Sequence, residues 1–450
     1  MSKISTIDQE ILKGSSKLFS EKKKTGFDRT NYMVKNMEYN HAFIQLSKGE
    51  KDKDKILYKL QEEYKSYRKK WVNILDSYKI DSNFKPGSKI SPPLSVDIET
   101  ASICDLACPH CSREYIITPD KIMNFELYKK IISECKKLKV PSIKLNWRGE
   151  PLLNPKINEF VKYAKDQGIL EVSINTNAVS LTEEKAEKLI NSGLDVIIFS
   201  FDGGTKKTYE KLRPGRFHKN NFEQVYGNIK RFTQIKKKLN SKFPITKIQM
   251  ILTKDSREET NNFFEIFGDI IDDVTVTQYN ERGGSVKDLT DAQQIKLTNY
   301  LTKNNLNSST PYMVNFEGEI FISKKRKACE QIFQRLMLTY NGRAGMCCHD
   351  WGAQHGVGFI DKDAYESDDK EFLKVKQKIE TNKKGFELLK EAKIPNKFNE
   401  PDTKVQNIEE IWNGEELNRV RKIHRNNNLN DLKVCEGCTF KDTYHWEKII

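Results

Sequence analysis

An α/β protein centred on an incomplete β/α barrel is the fold this sequence predicts, and three observations predict it. Between residues 91 and 284, short runs rich in β-branched and aromatic residues alternate six times with helical patterns. The unusual residue clusters of that stretch each follow directly on a strand-like run. After residue 280 the alternation stops. Strands alternating with helices imply βαβ units, right-handed crossovers and a parallel sheet. Six units make a partial (β/α)6 barrel, whose chemistry belongs where strands end and loops begin.

The elements follow in order. Residues 1–90 read as a polar helical N-terminal extension: DKILYKLQEEYKSYRKKWVNIL places apolar and aromatic residues at helical spacing among charges. KPGSKISPP (85–93) has the composition of a linker. LSVDIET is the first strand, followed by a cysteine loop and a helix over 125–139. SIKLNW leads into RGEPLLNP and a helix near 156–167; EVSINTN precedes a helix over 182–192. DVIIFSFDG precedes helical 205–212 and 221–239, ITKIQMILT precedes 257–271, and DVTVTQYN is the sixth strand. Residues 285–328 connect the barrel to a cysteine-bearing region, 329–450, with a hairpin pattern in RLMLTYNGRAGMCC and a helix over 408–425.

At 450 residues the chain is long enough for two or three domains. Its net charge is +14, from 77 Lys and Arg against 63 Asp and Glu. The excess is spread over nearly every helix, usually beside Glu, which describes solvated faces and gives little support to a nucleic-acid surface. No run approaches the roughly 20 apolar residues of a membrane span, and MSKISTIDQE has no apolar core of a secretory signal. A cytoplasmic protein is expected, in which clustered cysteines point to metal or catalysis before disulfides.

Eight of the nine cysteines are grouped: Cys104/Cys108/Cys111, Cys329 with Cys347/Cys348, and Cys435/Cys438. Cys135 stands alone inside a helical pattern and reads as a packed thiol. CDLACPHC gives Cys-x3-Cys-x2-Cys directly after a strand. Three thiolates on a four-iron cubane leave one iron open to an outside ligand. Zinc is the competing reading; it wants a closed tetrahedral set, for which His110 is the local fourth candidate.

CDLACPHC resembles the signature of the radical SAM superfamily. The likeness continues through RGEPLL (148–153) and SINTNAVSLTEEKAEKLINSGLDVIIFSFDGGTKKTYEKLRPG (173–215), the latter similar to members with SPASM or twitch C-terminal domains. The resemblance implies a radical SAM partial barrel whose [4Fe–4S] cluster with an open iron site sits on Cys104, Cys108 and Cys111. It implies that Glu150 receives the ammonium of S-adenosyl-L-methionine (SAM) and that Gly149 permits close backbone approach. Ser200 and Asp202 would lie near the ribose, and Arg213 would face the SAM carboxylate. Arg148 departs from the family, where Gly is more usual. Cys329, Cys347, Cys435 and Cys438 resemble the twitch version of the SPASM domain, implying a second, auxiliary [4Fe–4S] cluster with every iron ligated. Cys348 could replace Cys347; Tyr444 and His445 stand where a longer SPASM pattern needs further cysteines; and zinc on the same four thiolates stays open.

The activity so implied is reductive cleavage of SAM to a 5′-deoxyadenosyl radical that abstracts hydrogen. The leading reading is oxidation or epimerisation of a carbohydrate-like small molecule, with a flavodoxin- or ferredoxin-like electron donor. A maturase of a ribosomally made peptide competes; such enzymes often carry a winged-helix peptide-binding domain, which residues 1–90 do not suggest. A non-catalytic cluster- or zinc-bearing protein is the third reading. Tyr279, Arg282, His349 and Asp350 lie near the expected barrel and cluster edges, where each is more often structural, so no general base or hydrogen donor is named.

Overall fold

The computed structural model describes residues 27–77, 90–114, 118–279, 289–308, 310–315, 317–366, 401–436, 438, 440 and 443–449. Six parallel strands follow the predicted order: β1 (Ser95–Ile98), β2 (Ser142–Lys144), β3 (Glu171–Thr176), β4 (Val196–Ser200), β5 (Ile245–Leu252) and β6 (Asp273–Gln278). The crossover helices include Phe125–Lys137, Ile157–Asp166, Glu183–Asn191 and Phe222–Lys238. Three of these starts are fixed by side-chain caps: Asn124, Thr182 and Asn221 each accept a first-turn backbone N–H.

Alternation along the strands separates two faces. Ile174, Ile197, Phe199, Ile248 and Met250 are buried in the core shared with the helices. Phe199 meets Phe232 edge-on with ring centroids 5.6 Å apart. Each such side chain contributes about 1.5–3 kcal/mol through burial. The opposite face carries Asn175, Ser200, Lys247, Gln249, Asp273, Thr275 and Thr277, with Ile198 and Ile251 among them. Lys247 Nζ pairs with Asp273 at 2.9 Å, and Gln249 Nε2 donates to Thr277 at 2.9 Å. The helix Phe125–Lys137 buries Tyr128, Ile131, Ile132 and Cys135 on one stripe, so Cys135 is a packed core thiol.

Later strands extend this sheet. β7 (Tyr312–Val314) and β8 (Ile320–Arg326) are antiparallel, and β9 (Arg335–Leu338) runs parallel to β1 on its free edge. β10 (Arg343–Gly345) and β11 (Gly356–Phe359) follow antiparallel, giving a nine-stranded sheet. The hairpin predicted from RLMLTYNGRAGMCC is thus β9–β10. β12 (Tyr444–Lys448) pairs with β8 in a separate three-stranded sheet. Residues expected as a C-terminal unit therefore lengthen the barrel sheet, because β1 offers β9 an unpaired edge and edges seek partners.

The helices α1 (Arg29–Lys35), α2 (His41–Leu46) and α3 (Lys53–Val72) close the end of the barrel where strands begin. Glu171, at the start of β3, accepts from Arg29 Nε at 3.0 Å and Tyr64 OH at 2.6 Å. Tyr67 OH donates to Ser142 at the start of β2, 3.1 Å away. The fully buried Lys165 ammonium pairs with Asp195, just before β4, at 2.7 Å, and Asn40 donates to the same carboxylate at 2.7 Å. Among the described residues no helix is long and apolar enough to cross a membrane. Residues 1–26, most of the 85–93 linker and Arg282 lie outside the described residues.

Candidate active site

The cysteine loop lies beyond the C-terminal end of β1 and is held from three sides. Its returning arm pairs back: Ser102 N donates to Lys121 O at 2.8 Å and Met123 N to Thr100 O at 3.1 Å. The turn after β2 presses on it: Gly149 has φ +69°, and a Cβ there would stand 2.3 Å from the Ala101 carbonyl oxygen and 2.7 Å from that of Ile103. Only glycine satisfies both the left-handed backbone and the contact. The close approach is to the cysteine loop's own backbone, and the next residue's amide, Glu150 N, donates to Ile103 O at 2.8 Å. From the third side, Ala107 N donates to Pro214 O at 2.9 Å and Arg216 N to Asp105 O at 2.8 Å.

Within this clamp three thiols share one neighbourhood. Burial, then Glu150, pushes Cys104 up to about 12, with Cys111 adding to the rise. Burial lifts Cys108 well above the ordinary thiol value, Arg213 opposing and Cys111 and Cys104 reinforcing it. Three thiols that oppose one another's ionisation are a donor set for a strongly cationic group, which fits an iron–sulfur cluster. Asn177 Nδ2 lies 3.9 Å from Cys104 Sγ and donates to Asp105 at 2.6 Å.

Glu150 is buried beside them. Its carboxylate accepts from Leu152 N at 3.0 Å, Thr176 Oγ1 at 2.6 Å and Asn177 N at 2.7 Å. Burial, then Asp105, still raises it to about 7 despite these donors. Asp202 is committed differently. Its carboxylate pairs with Arg213 at 2.7 Å and His110 Nε2 at 3.2 Å and accepts from Ile251 N at 2.7 Å. Burial works against its ionisation, but Arg213 and then His110 prevail and hold it at about 2. His110, the candidate zinc ligand of the sequence, turns Nε2 to Asp202, while its buried Nδ1 has no hydrogen-bond partner among the described residues. Ser200 lies two residues before Asp202, in register with Gln249 on the inward face.

The late cysteines also converge. Burial lifts Cys329, with Cys438 and Cys435 adding to it. Cys347 is lifted by burial, then by Cys348, Cys435, Asp350 and Cys329. Cys435 is pushed up to about 12 by burial, Arg326 opposing and Cys438 reinforcing. Cys348 turns elsewhere: its Sγ donates to Gln331 at 3.4 Å and it packs on the cluster of Trp147, Met337 and Ala353. Asp350 builds the intervening turn, accepting from His355 N at 3.1 Å. All nine cysteines are free thiols. Among the described residues no three His, Cys, Asp or Glu side chains form a ready single-ion site.

Sequence reasoning missed several of these partners. Asp105 and Asn177 act through long-range contacts, as does Arg148, whose Nη2 donates to Glu99 at 2.8 Å. His424, which touches Cys435, carries no motif.

The fold is a partial β/α barrel with a clamped three-cysteine loop beyond the C-terminal end of β1. Residues 98–265 match the family model of the radical SAM superfamily. That family match implies a [4Fe–4S] cluster and SAM. A tungsten-containing aldehyde ferredoxin oxidoreductase cofactor-modifying protein of Pyrococcus furiosus is 30% identical over 108 residues, 23% of this chain and 30% of that protein. A probable GTP 3′,8-cyclase of Methanococcus maripaludis is 31% identical over 133 residues, 29% and 43% of the two chains. The PqqA peptide cyclase of Bradyrhizobium diazoefficiens is 34% identical over 112 residues, 25% and 29%. The matches thus span less than half of these relatives. Among solved structures, Streptococcus suis SuiB bound to precursor peptide SuiA has a TM-score of 0.44 at 18% identity, covering 65% of this chain and 66% of that one. BtrN in complex with AdoMet and 2-DOIA has a TM-score of 0.43 at 14% identity, covering 79% and 97%.

Proposed function

We propose that the chain is a cytoplasmic radical SAM oxidoreductase acting on a carbohydrate-like small molecule. Cys104, Cys108 and Cys111 would hold the SAM-cleaving [4Fe–4S] cluster, and Cys329, Cys347, Cys435 and Cys438 an auxiliary one. When bound, the first cluster and SAM supply a 5′-deoxyadenosyl radical that abstracts hydrogen from an unactivated C–H bond. The observation that carries the reading is the group of three mutually opposing thiols with Glu150 and Arg213 beside them. Glu150 would accept the methionyl ammonium, a charge-assisted bond of about 1.5–3 kcal/mol. Arg213 is the candidate for the SAM carboxylate, steadied by Asp202, and Ser200 faces the side where a ribose would lie. Asp202, already engaged by three donors, acts through Arg213 and His110.

Gln249 and Thr277, on the inward face, would offer neutral hydrogen-bonding groups to a hydrophilic substrate. The peptide-maturase reading has support in one relative's name, that of the PqqA peptide cyclase. Against it, the described N-terminal residues are helical and cover the opposite end of the barrel from the cysteine loop.

The test is anaerobic reconstitution followed by reduction with dithionite or a flavodoxin- or ferredoxin-like donor. SAM should be cleaved to 5′-deoxyadenosine. Deuterium should pass into that product from deuterated aminocyclitols or sugars offered as substrates. Transfer only from a neighbouring precursor peptide would move the assignment to maturation, and no cleavage at all would leave a non-catalytic cluster protein.

A further inference from the structure

We propose that His424 is a positioning residue of the auxiliary site, its Nε2–H donating to the Cys435 sulfur and so raising the reduction potential of the cluster held there. The proposal rests on reading Cys329, Cys347, Cys435 and Cys438 as ligands of that cluster. His424 lies on the helix Glu415–Asn426 and is buried at 3% exposure. Two contacts define its ring. The backbone N–H of Cys329 points at Nδ1 from 3.3 Å, and Nε2 lies 3.3 Å from Cys435 Sγ.

Chemistry then assigns the tautomer. A backbone N–H can only donate, so Nδ1 must accept, and the proton of a neutral ring sits on Nε2. Nε2–H faces a sulfur, which accepts. One imidazole therefore joins the main chain of one proposed ligand to the side chain of another. The ring has little freedom to turn, because both its nitrogens are engaged and the residue is buried.

The consequence is electronic as well as geometric. Reducing a cluster adds negative charge that spreads onto its sulfurs. A donor aimed at a ligand sulfur stabilises that charge more in the reduced state than in the oxidised one. Removing the donor should make reduction harder. A histidine that merely filled space would leave the potential where it is.

The test uses the full chain carrying Cys104→Ala, Cys108→Ala and Cys111→Ala, so that only the auxiliary cluster gives a signal. Into it are placed His424→Leu, close in volume but without a donor, and His424→Gln, which keeps one donor and one acceptor. Iron per chain is counted, the midpoint potential is taken by EPR-monitored titration, and exchangeable protons near the reduced cluster are read by ENDOR in H2O and D2O. The expected result is four irons in each variant, a more negative midpoint in His424→Leu with loss of one exchangeable proton, and recovery toward the parent in His424→Gln. Should His424→Leu lose its iron while His424→Gln keeps a cluster near the parent potential, the donor role also stands. An unchanged midpoint and proton signal in His424→Leu overturns it, as does loss of iron from both variants. A parent that binds no cluster at these four cysteines sinks the underlying ligand reading instead, a result visible before any histidine is changed.

Discussion

Arg148 grips Glu99 in a buried, two-pronged ion pair. Its Nε and Nη2 donate to Glu99 Oε1 and Oε2 at 2.5 and 2.8 Å, and both residues are buried. Glu99 stands just past β1, five residues before Cys104, and its Oε2 also accepts from Tyr340 N at 3.1 Å. Gly352, at φ +80°, comes so close that a Cβ would stand 3.0 Å from Arg148 Nη1. The pair thus fastens the root of the cysteine loop, the turn bearing Glu150 and the β9–β10 hairpin. Arg148 neutralises a carboxylate that is itself buried.

Arg148→Met should therefore destabilise the protein by about 3–5 kcal/mol, since it leaves the Glu99 carboxylate buried without its counter-charge. Adding Glu99→Gln removes that charge while keeping an acceptor for Tyr340 N, and should restore a large part of the loss. Urea denaturation of the two variants and the parent measures both effects. Equal stability of the single and double variants would show that the charge is not what matters.

Gly149→Ala should act on the cysteine loop rather than on the barrel. The added methyl must displace the Ala101 and Ile103 carbonyls, in a backbone conformation that L-residues disfavour. We expect iron bound by the first cysteine group to fall severalfold, with far-UV circular dichroism close to that of the parent. Full iron content after reconstitution would mean that the loop tolerates the shift.

How much of this was legible in the sequence depends on range. Cys104, Cys108 and Cys111 and the Gly149–Glu150 turn announce themselves through spacing and through their place after β1 and β2. The six strands were legible because their apolar residues face crossover helices, as in Ile248 and Met250 on β5. What the sequence hid is pairing between distant, individually ordinary residues: Arg148 with Glu99, Asn177 with Asp105, and Pro214 with Ala107. The 27–77 helices show their amphipathic spacing, but nothing local says that Tyr64 and Tyr67 will cap the starts of β2 and β3. The union of β9 with β1 was hidden too, because a free strand edge has no composition of its own.

Glu150 should give the apo protein a pH-dependent stability. Burial, then Asp105, raises its carboxyl to about 7 from an ordinary 4.5, so the folded state holds its proton more tightly than the unfolded chain does. This contribution is fully present below the unfolded value and is lost as pH rises through about 7, an effect of order 3 kcal/mol. Glu150→Gln should flatten that part of the stability curve between pH 4.5 and 7. Its SAM affinity should fall about tenfold or more at pH 8, where the parent carboxylate is ionised and ready to accept the ammonium. Parallel stability curves for variant and parent would place the shifted proton elsewhere.

Cys435→Ala should separate the two ends of the molecule. Cys435 lies at the focus of contacts that fold the C-terminal segment back on β8: Arg326 of β8 donates to its carbonyl oxygen, Tyr444 OH donates to Cys438 O at 2.5 Å, and β12 pairs with β8. In the proposed holoenzyme, a cluster here closes a long chain loop, and its binding free energy becomes folding free energy for this region. Loss of one thiolate should remove that cluster and about half of the iron. Hydrogen exchange should quicken over 320–326 and 444–448, the paired strands β8 and β12. The six barrel strands bury their own apolar side chains against the crossover helices and should keep their protection. SAM cleavage at the first cluster should persist, uncoupled from product formation. Unchanged exchange at β8 and β12, together with an intact auxiliary-cluster spectrum, would remove Cys435 from the ligand set. Quickened exchange across β1–β6 as well would show that the barrel depends on the auxiliary site, through the β9 strand that joins them.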